Sequence, residues 1–231
     1  KAKLVGSFKR QFQKNLNMPL NGPTRMRGTA YWFIHENTLF VALDVFEKGT
    51  GAQGGIVPQV TGEQLEWLDS VINDNPGVEH VVVMGHTPVL GPIPSEGSTY
   101  LSIEGGKDSP LWQTLKKHGV DLYLCGEVHM ASCAQDGPVQ LAHGGLFGGT
   151  PKANYLVTTV YPDHIDLEIK EIAIANEGGR LWQMGDERPL AKVRISDQDK
   201  QKGFVTIGAA TLSQGPSGPT LINATGCFGS Q

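Results

Sequence analysis

Long apolar runs are missing from this chain of 231 residues. No stretch approaches the ~20 apolar residues that a bilayer-spanning helix needs, so no membrane span is expected. Cysteine is scarce: Cys125, Cys133 and Cys227 are too few for a disulfide framework. Two readings of Cys125 stay open, a bridge to Cys133 in an exported protein or an ordinary buried thiol. Positive charge is not in excess either, with 19 Lys and Arg against 23 Asp and Glu and a net charge of −4. That balance offers no basic face and argues against nucleic acid as a partner. Two catalytic signatures are also absent. There is no Gly-x-x-x-x-Gly-Lys loop to cradle a nucleotide and no Gly-x-Ser-x-Gly elbow for a serine hydrolase. No signal peptide follows Lys1, but a chain that starts at Lys and not Met leaves a processed export signal open. A periplasmic or secreted location is the expectation carried forward.

What the chain does contain is concentrated in two places. Val81-Val82-Val83-Met84-Gly85-His86-Thr87-Pro88 and Val120-Asp121-Leu122-Tyr123-Leu124-Cys125-Gly126-Glu127-Val128-His129 are each an apolar run ending in Gly and a metal-capable side chain. Each reads as a buried strand whose carboxyl end carries a ligand, the usual place for a site in an open α/β sheet. Pro88 stops the first strand. In extended backbone Glu127 and His129 point to the same side, so they serve one site or two adjacent metals. A mixed oxygen and nitrogen set suits Zn, Fe or Mn and is not a closed structural zinc site.

The pattern around these tips is helix, strand, Gly, ligand, twice over, which is an α/β layered unit. Residues 1–28 read as irregular, with Met18-Pro19-Leu20-Asn21-Gly22-Pro23 a turn-and-loop signal. Tyr31–Ile34 and Leu39–Leu43 read as strands around a His35-Glu36-Asn37 turn, followed by a loop holding Gly49, Gly51, Gly54 and Gly55. A helix over 61–73 opens with Thr61 and Gln64 in capping-box spacing. A long loop with Pro92 and Pro94 separates the first tip from a second helix over 109–118, which starts at Ser109-Pro110 and stops at Gly119. The strands over 81–84 and 120–124 should be neighbours inside one sheet. Beyond Val139 the pattern turns to β, with Tyr155–Tyr161 and Ile165–Ile172 forming a hairpin. Residues 1–175 read as one domain and 176–231 as an appended β-rich or loop-rich segment containing Gly215-Pro216-Ser217-Gly218-Pro219. The remaining histidines divide simply. His35 and His118 read as solvated, His80 as a surface residue and His164 as a turn residue, while His143 lies in a glycine loop where substrate contact is conceivable.

In order and spacing these segments resemble the C-terminal two-thirds of a calcineurin-like metallophosphoesterase, of the branch that includes purple acid phosphatases. The resemblance covers roughly residues 8–172. It rests on Phe8, Phe12 and Met18–Pro23, on Tyr31-Trp32-Phe33 with Val41–Asp44, on Gln64–Leu68, and on the two tips. It implies an α/β two-sheet sandwich with flanking helices (α-β-β-α), incomplete at its N-terminus and followed by the β/loop-rich C-terminal segment. It also implies hydrolysis of a phosphate-ester substrate at a centre of two divalent or trivalent metal ions, Mn, Fe or Zn. His129 would bind the first metal and His86 the second. Position 127, usually a second-metal His in the family, is Glu127 here, a harder and more negative ligand that favours Mn, Fe or Mg-like ions over Zn.

The family's Asp-x-His, Gly-Asp-x-x-Asp and Gly-Asn-His-Asp/Glu motifs do not occur in this sequence. The three residues present are too few to hold two cations against water. The expectation is therefore that an N-terminal segment of the same protein, outside this chain, supplies the other ligands and that the fragment alone is inactive. The alternative is a catalytically degenerate phosphoesterase fold serving as a structural or binding module in an extracellular assembly.

Overall fold

A computed structural model describes residues 2–48, 55–91, 101–144, 152–177, 192–215 and 218–229. The glycines at 49, 51 and 54, Pro92 and Pro94, and Pro216-Ser217 lie outside the described residues. In chain order the elements are helix α1 (Ala2–Asn15), strands β1 (Tyr31–His35), β2 (Thr38–Ala42), β3 (Phe46–Lys48) and β4 (Ile56–Pro58), helix α2 (Gly62–Asn73) and strand β5 (His80–Met84). Helix α3 (Pro110–Lys117) follows, then β6 (Leu122–Cys125), β7 (Ser132–Gln135), β8 (Val139–Ala142), β9 (Lys152–Val160), β10 (His164–Ala173), β11 (Ala175–Glu177) and β12 (Lys192–Arg194). Helix α4 (Asp197–Lys202) and the long hairpin β13 (Val205–Gly215) and β14 (Gly218–Gly226) end the fold.

Two sheets carry the architecture. The first runs β1-β2-β5-β6-β8-β7, and the second β14-β13-β10-β9. Strands β2, β5, β6 and β8 are parallel, with Phe40 opposite Val82, Val83 opposite Tyr123 and Leu124 opposite Leu141. The strands at 81–84 and 120–124 are thus adjacent in one sheet, as their continuous apolar character requires. One face packs against α2 and α3 through Leu68, Val71, Ile72, Leu111, Trp112 and Leu115, set on Leu39, Val41, Val83 and Tyr123. Each such side chain contributes about 1.5–3 kcal/mol by leaving water, before its ordering cost. The other face packs Val82, Leu122, Val139 and Leu141 against Ile165, Leu167, Ile169, Ala210 and Leu212 of the second sheet. The result is the expected α/β two-sheet sandwich with flanking helices.

Local chemistry explains the helix ends, with one correction. Ser109 caps α3 by accepting from the Trp112 N–H, and Pro110 takes the first helical position. At α2 the capping box does not form. Thr61 makes no side-chain cap; its hydroxyl donates to Glu47 Oε2 at 2.9 Å and its N–H to Glu47 Oε1 at 3.1 Å. The charged carboxylate of Glu47 holds both the Thr61 hydroxyl and its N–H, orienting the side chain toward Glu47 and away from the helix amides. Gln64, freed from the box, is fully buried and clamps Asp44, accepting from its N–H and donating to its carbonyl, both at 2.9 Å.

Other expectations are corrected by packing. Residues 2–15 form α1 and are not irregular; the turn signal at Pro19 begins only after the helix has ended. His80 is buried, 1% exposed, because β10 and β13 close over the amino end of β5. His118 is also largely covered, its Nε2 2.8 Å from Asp69 Oδ1. The β9–β10 hairpin forms in the expected register, Ile165 opposite Val160. Within residues 176–231, β13 pairs with β10 and β14 with β13, and Phe228 is buried in the inter-sheet core. Register also decides the cysteines. Cys125 pairs with Ala142 and Ala142 with Ser132, so Cys125 and Cys133 flank β8 two strand spacings apart, about 9.5 Å. That exceeds the ~7 Å reach of a disulfide, and none of the three cysteines is in one. Burial pushes the Cys125 thiol up from 9.0 to about 12.

Candidate functional site

Four parallel strands end on one edge of the first sheet, and each carries a polar residue there: Asp44 after β2, His86 after β5, Glu127 after β6 and His143 after β8. The tips of β5 and β6 are held together beyond their last ladder residues. Gly85 N–H donates to Leu124 O at 2.9 Å, and Gly126 N–H to His86 O at 2.8 Å. Glycine leaves room at both positions, most acutely at Gly85. A Cβ on Gly126 would stand 3.2 Å from His86 Nδ1, and one on Gly85 would collide with the Tyr123 hydroxyl.

This close approach brings His86 Nε2 to 3.1 Å from Glu127 Oε2. The imidazole is 50% exposed and the carboxylate 7%. The other side of His86 faces Phe46, ring centroids 5.7 Å apart. The backbone at Glu127 is not extended, contrary to the sequence expectation. Glu127 has φ +62 and His129 φ +58, and Val128 N–H donates to Gly126 O at 2.6 Å. That bond closes a γ-turn of the strained, positive-φ kind around Glu127. Alternation along a strand therefore does not decide where Glu127 and His129 point. Val128, between them, is buried in the hydrophobic core and anchors the turn. Left-handed non-glycine residues cost free energy and cluster at functional sites.

The structure brings His86 and Glu127 together. His129 is half-buried two residues on, and among the described residues no group of three or more His, Cys, Asp or Glu gathers around one point. His143 is exposed at the end of β8, its Nδ1 2.9 Å from Gly144 O. The donor set therefore fits one side of a single cation, an imidazole nitrogen and a carboxylate oxygen 3.1 Å apart. The described residues alone do not build a two-metal centre.

Residues that sequence reasoning did not single out support the tips. Asp44, 6% exposed, accepts from the Thr29 hydroxyl at 2.8 Å and pairs with Lys9 of α1. Lys9 also reaches Phe46 O at 3.3 Å, so α1 braces the loop whose aromatic ring meets His86. Tyr123, fully buried beneath the tips, donates to Thr87 O at 2.8 Å, and burial holds its phenol well above the usual range. Thr87 Oγ1 is buried without a hydrogen-bond partner among the described residues. Asp44 was legible as the polar residue ending an apolar strand; the roles of Lys9 and Tyr123 were not.

No protein-family model and no curated protein sequence matches the chain. Solved structures do. A structure of PhoD matches 85% of this chain and 44% of its own, at 12% identity and a TM-score of 0.51. A dimetal phosphatase from Danio rerio matches 60% of this chain and 56% of its own, at 17% identity and a TM-score of 0.48. GAP50, the anchor in the inner membrane complex of Plasmodium, matches over 85% and 52%, at 13% identity and a TM-score of 0.34. The chain thus spans about half the length of these structures. At these identities the likeness is one of fold: the chain shares the α/β two-sheet fold of the PhoD structure.

Proposed function

We propose that this chain is the part of a metal-dependent phosphoric ester hydrolase that carries His86, Glu127 and His129 as ligands of a dinuclear centre. The observation that supports it most is the His86–Glu127 pair, assembled by two glycines and a strained turn at the carboxyl ends of adjacent parallel strands. A fold shared with the PhoD structure, with that edge built for close approach, supports the reading. Two cations at such a centre supply charge neutralisation on the phosphoryl oxygens and an activated water. His86 offers Nε2 beside the carboxylate on a half-exposed ring that Phe46 meets, Glu127 offers a nearly buried carboxylate, and His143 is the candidate to meet the ester. The remaining ligands come from an N-terminal segment of the same protein outside this chain, as in the purple acid phosphatase-like branch, and the protein works in the periplasm or after secretion.

The test is elemental analysis and phosphate release with the full-length protein supplied with Mn, Fe or Zn. Bound metal with turnover of a nitrophenyl phosphate supports the reading. Metal-free protein after such loading refutes it. A second reading, a degenerate fold serving as a binding module, is favoured by one observation: the described residues gather no three-donor group. Sequence encoded upstream separates the two, since Asp-x-His followed by Gly-Asp-x-x-Asp restores the enzyme and their absence supports the module.

A further inference from the structure

We infer that the outer edge of β9 and the aromatic face of β1 and β2 beside it seat one strand of the N-terminal segment placed outside this chain above; the inference rests on that reading. β9 runs nine residues without proline and with Lys152 as its one charge, and among the described residues only β10 pairs with it. The other sheet edges are blunted. On β1 the Asn21 side chain accepts from the Trp32 N–H at 3.1 Å and donates to the Trp32 carbonyl at 2.9 Å. β7 has four residues, and β14 carries Asn223 at φ +53 and pairs through a bulge. A long, uncharged strand edge left open is a template for pairing.

Beside that edge the first sheet overhangs the second. Gln135 of β7 donates to Pro219 O of β14, Gln214 of β13 to Asp121 before β6, and His80 of β5 to Tyr161 O just after β9. β9 thus meets β5, and β1 lies two strands further out. There Phe33, paired with Phe40 on the inter-sheet face, stacks on it at 5.0 Å and remains 39% exposed; Tyr31, on the same face, stacks on Phe33 at 6.5 Å. A strand added to β9 lays its apolar side chains on this shelf. Direction matters as well. His80, at the start of β5, reaches Tyr161 past the end of β9, while Gly144, past the end of β8, donates to Asn154 near the start of β9. A strand antiparallel to β9 therefore runs toward the edge of His86, Glu127 and His143 and ends beside it. A second copy does not fit this seat. Two β9 strands pair antiparallel about a twofold axis normal to the sheet, which sets both first sheets on one side with their overhangs, about 9.5 Å each, in the same space.

The test uses the full-length protein. Phe33 is replaced by the photocrosslinker p-benzoylphenylalanine and cross-linked peptides are mapped by mass spectrometry; amide exchange of β9 in the unmodified protein is the second measurement. The expected result is cross-links within one molecule to residues that precede Lys1, with β9 amides exchanging about a hundredfold or more slower than unpaired backbone along the whole strand. Cross-links between two molecules, or only to residues within 1–231, with alternate β9 amides exchanging like unpaired backbone, overturn this inference. If that protein still holds metal and releases phosphate, the metal-centre reading stands. Intramolecular cross-links to the preceding segment and a protected β9, in a protein that retains no metal after loading, support the seat and refute the metal centre.

Discussion

The same two strands carry a histidine–carboxylate pair at each end, and the two pairs are built in opposite ways. At the amino ends of β5 and β6, His80 Nδ1 lies 3.3 Å from Asp121 Oδ1; at the carboxyl ends, six residues further along each strand, His86 Nε2 lies 3.1 Å from Glu127 Oε2. His80 is 1% exposed and both its nitrogens are engaged, Nε2 donating to Tyr161 O at 2.7 Å. Asp121 also accepts from Val81 N–H at 2.8 Å and from Gln214 Nε2 at 2.7 Å. That network ties the first sheet to the hairpin of the second and to β13. The His86 ring, in contrast, is half in solvent, and its partner sits on a strained turn. A fully bonded buried pair specifies a fold; an open, strained pair is available for chemistry.

Substitutions can break this contrast. The largest effect is expected at the open end. His86→Ala should lower metal retention and phosphate release by more than about a hundredfold, beyond the effect of losing a second-shell partner. The midpoint of urea unfolding in the metal-free protein should hardly move, because a half-exposed ring contributes little packing. Equal loss of stability and metal would erase the distinction between the two ends.

At the closed end the expected result is reversed. His80→Ala leaves Asp121 buried without its imidazole and should cost about 3–5 kcal/mol in urea unfolding, while metal affinity per folded molecule stays at the wild-type level. Gln64→Ala tests whether stability and site are separable at an intermediate position, since Gln64 holds the Asp44 backbone on the same edge as His86. Two buried bonds are lost, so about 2–3 kcal/mol is expected, with a modest fall in turnover through the Phe46 loop. The smallest effect belongs far from both ends. Ser109→Ala removes the α3 cap and should lower stability by about 1 kcal/mol with no change in metal binding.

The closed pair also shows where sequence reading ran out. The apolar run after His80 marks a strand, but whether its first residue is wet depends on β10 and β13, which arrive more than eighty residues later. The open pair was more legible, because Gly followed by a ligand at the end of a buried strand is a local signal. Its detail was not. Glu127 reads as the next residue of an extended run, whereas in the structure its φ is reversed and Val128 after it turns into the core. Gln64 illustrates the same limit. Its spacing from Thr61 is that of a capping box, yet Glu47, fourteen residues upstream of Thr61, takes the threonine hydroxyl.

By itself the sequence determined the helices at 62–73 and 110–117, the adjacency of the two parallel strands and the β9–β10 hairpin. These follow from caps, periodicity and apolar runs within about a dozen residues, where local propensity and burial agree. Tertiary structure alone decided which of seven histidines face a carboxylate, the fate of Cys125, and the place of β13 and β14 in the second sheet. Those outcomes depend on register between distant strands, and a shift of one residue in register turns every side chain to the opposite face.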